Sequence, residues 1–182
     1  EGRGVTTFTL SAPGVPSGQY RVEVDAVSGI GDGCPPEQTD FERENIARDK
    51  IHFVGNTMID SLVALEDRFR PLEACRDHDL EPGSYLLVTL HRPALVDGPL
   101  LFEAVAALNA VSEDMPVLFP VHPRTRARLA AEAEVAPGLK LVEPAGYLEF
   151  LSLETDAKAV LTDSGGIQEE TSYLGVPCFT LR

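Results

Sequence analysis

From about residue 50 onward, short apolar runs alternate with amphipathic stretches, and turn residues separate the two. Ile51-His52-Phe53-Val54 reads as a strand that stops at Gly55-Asn56. Met58, Leu62, Leu65 and Phe69 then recur at helical spacing across Thr57 to Phe69. Tyr85 to Leu90 is apolar on both faces, as a central parallel strand covered by helices requires. After the turn residues Asp97-Gly98, Pro99 suits the first turn of a helix reaching about Ser112, with Leu101, Val105, Leu108 and Val111 directed inward. Val117 to Val121 predicts another strand, followed by a helix rich in alanine and charge to about Val135. Past the break at Pro137-Gly138, the pattern predicts a strand over 140–142, a helix over 147–154, a strand over 159–162, a helix over 167–174 and a strand over 177–181.

Roughly six strands thus alternate with five helices. That order predicts an α/β fold: an open, doubly wound parallel sheet of the Rossmann type, binding its ligands at the carboxyl ends of the strands. The polar clusters fall at four such ends: Gly55-Asn56, His91-Arg92, His122-Pro123-Arg124 and Asp163-Ser164-Gly165-Gly166. Residues 1–36 stand outside the alternation. Val5 to Leu10 and Tyr20 to Val27 are candidate strands set among prolines and glycines, so this stretch is expected to be an arm or hairpin ahead of a domain over 37–182. Gly29-Ile30-Gly31-Asp32-Gly33 has the wrong spacing for a dinucleotide fingerprint, and Pro35-Pro36 stands where its helix would begin.

Charge narrows the ligand. The 182 residues carry a formal charge of -14, against the basic face that nucleic acid demands. A small anion would have to be held by local donors. Cys34, Cys75 and Cys178 match neither a disulfide framework nor zinc-ligand spacing, and no apolar run is long enough for a membrane span. No basic-then-apolar leader opens the sequence, so a reducing cytoplasm is the expected location, without a membrane or nucleic-acid partner. No cofactor and no metal are expected, and a homodimer is left open.

The run Asp163-Ser164-Gly165-Gly166-Ile167-Gln168-Glu169-Glu170 carries the chemistry. A strand feeding directly into a helix leaves the first helical N–H groups without intrahelical partners, and two glycines let a phosphate approach them. Ser164 adds a hydroxyl, while Glu169 and Glu170 suit the hydroxyls of a ribose or another sugar. His91, directly after its strand and beside Arg92, is placed to donate to phosphate or to transfer a proton. The alternative is a histidine that only finishes the strand. His122 and Arg124 have similar placement, but Pro120 and Pro123 suggest that the shape of their loop is part of their purpose. Ser164 is a poor nucleophile candidate, because Thr162 occupies the first glycine position of a Gly-x-Ser-x-Gly elbow.

Four ordered segments, Ile51 to Asp60, Thr89-Leu90-His91-Arg92-Pro93, Pro120-Val121-His122-Pro123 and Thr162 to Glu170, resemble the non-hydrolysing UDP-N-acetylglucosamine 2-epimerases. The resemblance covers about residue 37 to the end. It implies the C-terminal, UDP-binding half of a GT-B arrangement of two Rossmann-like domains. It further implies that Ser164, Gly165 and Gly166 hold the diphosphate and Glu170 the ribose, that Phe150 borders the uracil, and that His91 lies by the diphosphate and supports catalysis. The implied reaction inverts C2 of the sugar by eliminating UDP and adding it back. Nothing in residues 1–36 matches the family's first domain, and Leu95 stands in place of the usual asparagine, so the chain is expected to be partial. A hydrolysing relative, a GT-B glycosyltransferase and a catalytically silent UDP-binding module are the rival readings.

Overall fold

The structure, a computed structural model, describes residues 5–10 and 18–23 as backbone and residues 55–181 in full. The chain divides into two compact units, 1–55 and 56–182. In the first, β1 (Val5–Leu10) pairs antiparallel with β2 (Gly18–Glu23), in a register that sets Val5 opposite Glu23 and Leu10 opposite Gly18. The expected second strand thus begins earlier than its apolar run suggested, and residues 24–27 of that run lie outside the described residues. The strand expected over 51–54 lies outside the described residues.

The second unit holds α1 (Thr57–Phe69), β3 (Leu86–Thr89), α2 (Pro93–Val96), α3 (Leu100–Val111), β4 (Val117–Pro120), α4 (Pro123–Glu132), β5 (Leu139–Val142), α5 (Tyr147–Thr155), β6 (Ala159–Thr162), α6 (Gly165–Leu174) and β7 (Cys178–Thr180). All five strands are parallel, in the order β5-β4-β3-β6-β7. From the central β3 the chain moves outward to β4 and β5, then crosses back to β6 and outward again to β7. Two neighbouring strands therefore send their following segments to opposite sides, which opens a crevice beyond the carboxyl ends of β3 and β6. The expected doubly wound sheet is present.

Alternation along β3 and its flanks assigns its residues to two cores. Leu86, Val88 and Leu90 pack with Val117, Phe119 and Val121 beneath Leu101, Val105 and Leu108 of α3 and Leu129 of α4. Tyr85 and Leu87 face the other way, with Leu118 and Val160, against Leu153 of α5 and the Ala74–Cys75 turn. Tyr85 also donates its hydroxyl to the Leu153 carbonyl at 2.5 Å, and burial pushes that phenol well above its usual range. A third cluster joins Leu62 and Phe69 of α1 to Leu151 of α5. Burial of such side chains, at about 1.5 to 3 kcal/mol each, holds the helices on the sheet.

Some local expectations need correction. Val111, the last residue of α3, is exposed, while Leu108 in the same turn remains buried. Residues 93–96 form a one-turn helix, opened by Pro93 at its first position, where only loop was expected. The helix after β4 stops at Glu132 rather than near Val135.

Candidate functional site

Thr89 of β3 and Thr162 of β6 stand in register, so the segments that leave these strands emerge side by side. Asp163 ties them together. Its carboxylate is 1% exposed and accepts from the backbone N–H groups of His91 (3.0 Å) and Arg92 (2.8 Å), while His91 Nδ1 lies 2.7 Å from Oδ1. A buried carboxylate is tolerated only when its oxygens are satisfied, and two amides with an imidazole N–H do this. With Nδ1 engaged, the 61% exposed imidazole has Nε2 left for a ligand.

Beyond Asp163 the chain enters α6. Ser164 is the N-cap, but its hydroxyl does not cap the helix, and its own N–H donates to Thr162 Oγ1 at 2.9 Å. The N–H groups of Gly165, Gly166 and Ile167 have no intrahelical acceptor, by position. What Ser164 can offer an anion is therefore its hydroxyl rather than its amide. A Cβ built on Gly165 would meet nothing within 4 Å, so no internal packing demands glycine there. At Gly166 a Cβ would come within 2.7 Å of Met58 Cε, so α6 and α1 are closely fitted at that point. Ten residues of α6 set a positive dipole end behind these amides, the arrangement that favours phosphate.

Glu170 lies one and a half turns along α6, 6% exposed, and accepts from the Tyr147 hydroxyl at 3.1 Å. Burial raises its pKa above the usual carboxylate value, and the Tyr147 hydrogen bond works against that rise. Burial, then Glu170, pushes the Tyr147 phenol up to about 12. Glu169 is exposed and accepts from Asn56 Nδ2 at 2.7 Å, which joins α6 to the N-cap of α1. Phe150, in the first turns of α5, is half-buried and packs on the second core alongside Ile167 of α6. The geometry thus gathers His91, Ser164, Gly165 and Gly166 at one rim and sets Phe150 and Glu170 on the two helices beside it.

His122 and Arg124 turn elsewhere. His122 Nδ1 accepts from the Arg124 N–H and caps α4, while the Arg124 side chain pairs with Asp97 at 3.3 Å. Val96, Asp97, Arg124, Thr125 and Arg128 border a shallow cavity of about 180 Å³. Arg128 is already committed there, to the Val96 carbonyl and the face of Phe102.

Two acids escaped the sequence reading. Asp163 carried a usable signal, because an acid between a strand and a Ser-Gly-Gly turn is placed to accept from neighbouring amides. Glu154 carried none. It is 0% exposed in the last turn of α5, and neither carboxyl oxygen has a hydrogen-bond partner among the described residues. Among the described residues no group of His, Cys, Asp and Glu is arranged to hold a metal, and no helix is long and apolar enough to cross a membrane.

A doubly wound α/β sheet with an open helix N-terminus at its switch point defines a class of small-anion and nucleotide binders. Comparison with known proteins narrows this. The sequence profile of the UDP-N-acetylglucosamine 2-epimerase family matches residues 12–182, and the chain belongs to that family. A UDP-N-acetylglucosamine 2-epimerase of Methanococcus maripaludis is 38% identical over 77% of this chain and 41% of its own length. The UDP-2,3-diacetamido-2,3-dideoxy-D-glucuronate 2-epimerase of Pseudomonas aeruginosa is also 38% identical, over 98% of this chain and 50% of its own length. The UDP-GlcNAc 2-epimerase of Methanocaldococcus jannaschii, solved in complex with UDP-GlcNAc and UDP, superposes with a TM-score of 0.65 at 37% identity, covering 80% of this chain and 42% of that one. The chain spans about 41% to 50% of the length of these relatives.

Proposed function

We propose that the chain is the UDP-binding half of a nucleotide-sugar 2-epimerase that interconverts UDP-N-acetylglucosamine and UDP-N-acetylmannosamine. The observation that supports this best is the rim itself: a His91 ring steadied by buried Asp163, at the end of the strand beside the one that leads into Ser164 and the open amides of Gly165 and Gly166. In this reading the pyrophosphate sits on those amides. Phe150 borders the uracil and Glu170 accepts from the ribose hydroxyls. The reaction removes the C2 proton and breaks the C1–O bond, and the electron pair leaves with the pyrophosphate oxygen. UDP then adds back to C1 while a proton returns to the opposite face of C2. Donors fixed before reaction lower the cost of charge developing on the leaving UDP, and here they are His91, Ser164 and two backbone amides.

The sugar has a second candidate. The Pseudomonas aeruginosa relative matches nearly the whole chain and is named for a diacetamido glucuronate. In either case the action is on a soluble nucleotide sugar, for which a cytoplasmic location fits the free thiols Cys75 and Cys178. The test is a UDP titration of the purified chain, followed by incubation with each UDP-sugar in deuterated water. UDP binding with deuterium entering C2 supports an epimerase, and binding without exchange supports a silent UDP-binding module. Free UDP accumulating in step with turnover supports a hydrolysing enzyme. Absence of UDP binding would sink the proposal.

A further inference from the structure

Glu170 has a single donor where a buried carboxylate needs several. The residue is 6% exposed, Oε1 accepts from the Tyr147 hydroxyl at 3.1 Å, and Oε2 has no hydrogen bond or ion pair among the described residues. An ionised carboxyl carries about four acceptor sites, and a buried one left without donors is costly. The shortfall falls on Oε2.

Tyr147 is in contact with that acid without being buried itself. It is 47% exposed, so packing accounts for little of its presence, yet its hydroxyl is turned onto a group in the interior. Tyr147 is the first residue of α5, and Glu149 accepts from the Gly146 N–H at 3.3 Å, which anchors the start of that helix. Phe150 lies one turn on, along the same side of α5. The last torsion of a glutamate side chain is soft, so a carboxylate held at neither oxygen turns easily. A hydrogen bond on Oε1 resists that rotation and leaves Oε2 as the open acceptor. The same bond opposes the rise in pKa that burial causes, and so favours the accepting form.

We infer that Tyr147 is a positioning residue: its hydroxyl pins Oε1 of Glu170, so that Oε2 is presented to a ribose hydroxyl before the nucleotide arrives. The inference rests on the reading of Glu170 as the ribose-binding group. An acceptor held ready removes part of the ordering cost from binding. Tyr147 acts through Glu170 alone, so its contribution should vanish for a ligand that has no ribose hydroxyls.

The test is a binding cycle on the full chain, with UDP and 2′,3′-dideoxy-UDP each titrated against wild type, Tyr147→Phe and Glu170→Ala. Wild type should favour UDP about tenfold or more, the size of one hydrogen bond to a charged group. Glu170→Ala should lose that preference. Tyr147→Phe should weaken UDP about threefold or more and leave dideoxy-UDP within about twofold, as expected of two coupled groups in contact. Phenylalanine keeps the ring, so a packing role would spare both ligands, and a role in the shape of the pocket would weaken both equally. Either of those results, with Glu170→Ala still losing the preference, would overturn the inference and leave the ribose reading standing. Equal wild-type affinity for UDP and dideoxy-UDP, or no binding of UDP, would instead overturn the ribose reading of Glu170 and the inference with it.

Discussion

At the scale of single residues, the site is organised by acids rather than by bases. Asp163 is satisfied by two backbone amides and an imidazole, so its burial fixes the two strand-end segments against each other. Glu154 has no such partners, and its burial is a cost to the fold. Its folded pKa, about 8, lies above the value of 4.5 expected in the unfolded chain. Between those values the unfolded chain releases a proton that the folded one retains. The stabilising balance is therefore whole below about pH 4.5 and is lost as pH rises toward about 8. Glu154→Gln cannot ionise. Its stability relative to wild type should rise between about pH 5 and pH 8, on the order of a few kcal/mol, as measured by denaturant melts at both values. An unchanged gap would mean that Glu154 titrates like a solvated acid.

At the scale of elements, α6 is the working part. Its first turn carries amides without intrahelical acceptors, and its later turns carry Glu170 into the interior. The two glycines of that turn differ in duty. Gly166 lies against Met58, so a side chain there forces the tip of Met58 to move. Gly165 has open space around it, so in the proposed function its missing side chain serves the pyrophosphate rather than internal packing. Gly165→Ala should therefore fold at least as well as wild type, gaining about 0.4 to 1 kcal/mol from the less flexible unfolded chain. UDP affinity should nevertheless drop about tenfold or more, as for loss of one hydrogen bond to a charged group. Thermal melts beside a UDP titration separate the two effects. Equal affinity in the variant would remove the Gly165 amide from the binding surface.

For the chain as a whole, net charge works against any anionic ligand. A chain of formal charge -14 repels an incoming nucleotide diphosphate, and salt screens that repulsion over about 10 Å at 0.1 M. The UDP association rate should therefore increase as ionic strength is raised from low values, the reverse of a basic binder. Stopped-flow measurement over a salt series checks this. A rate that falls with salt would show that the donors at the rim, not the net charge, set the approaching field.

Most strands and helices were legible in the residues, because a two-residue or 3.6-residue repeat is a local property of the chain. The apolar run over Tyr85 to Leu90 and the position of Pro99 carried real information. Even so, the one-turn α2 and the early end of α4 were not legible in the spacing of apolar residues. The Ser-Gly-Gly turn was equally readable, since glycine and helix start are neighbours in sequence. Which strand end it would face was not: β3 and β6 become neighbours only when the chain crosses back over the sheet. Likewise, no spacing tells that Asp163 meets His91 from 72 residues away, or that Glu154 loses its water in the interior. The sequence by itself determined the elements and the chemical groups they carry. The tertiary structure decided which groups share a dry interior, because the cost of burying a charge depends on every surface packed around it.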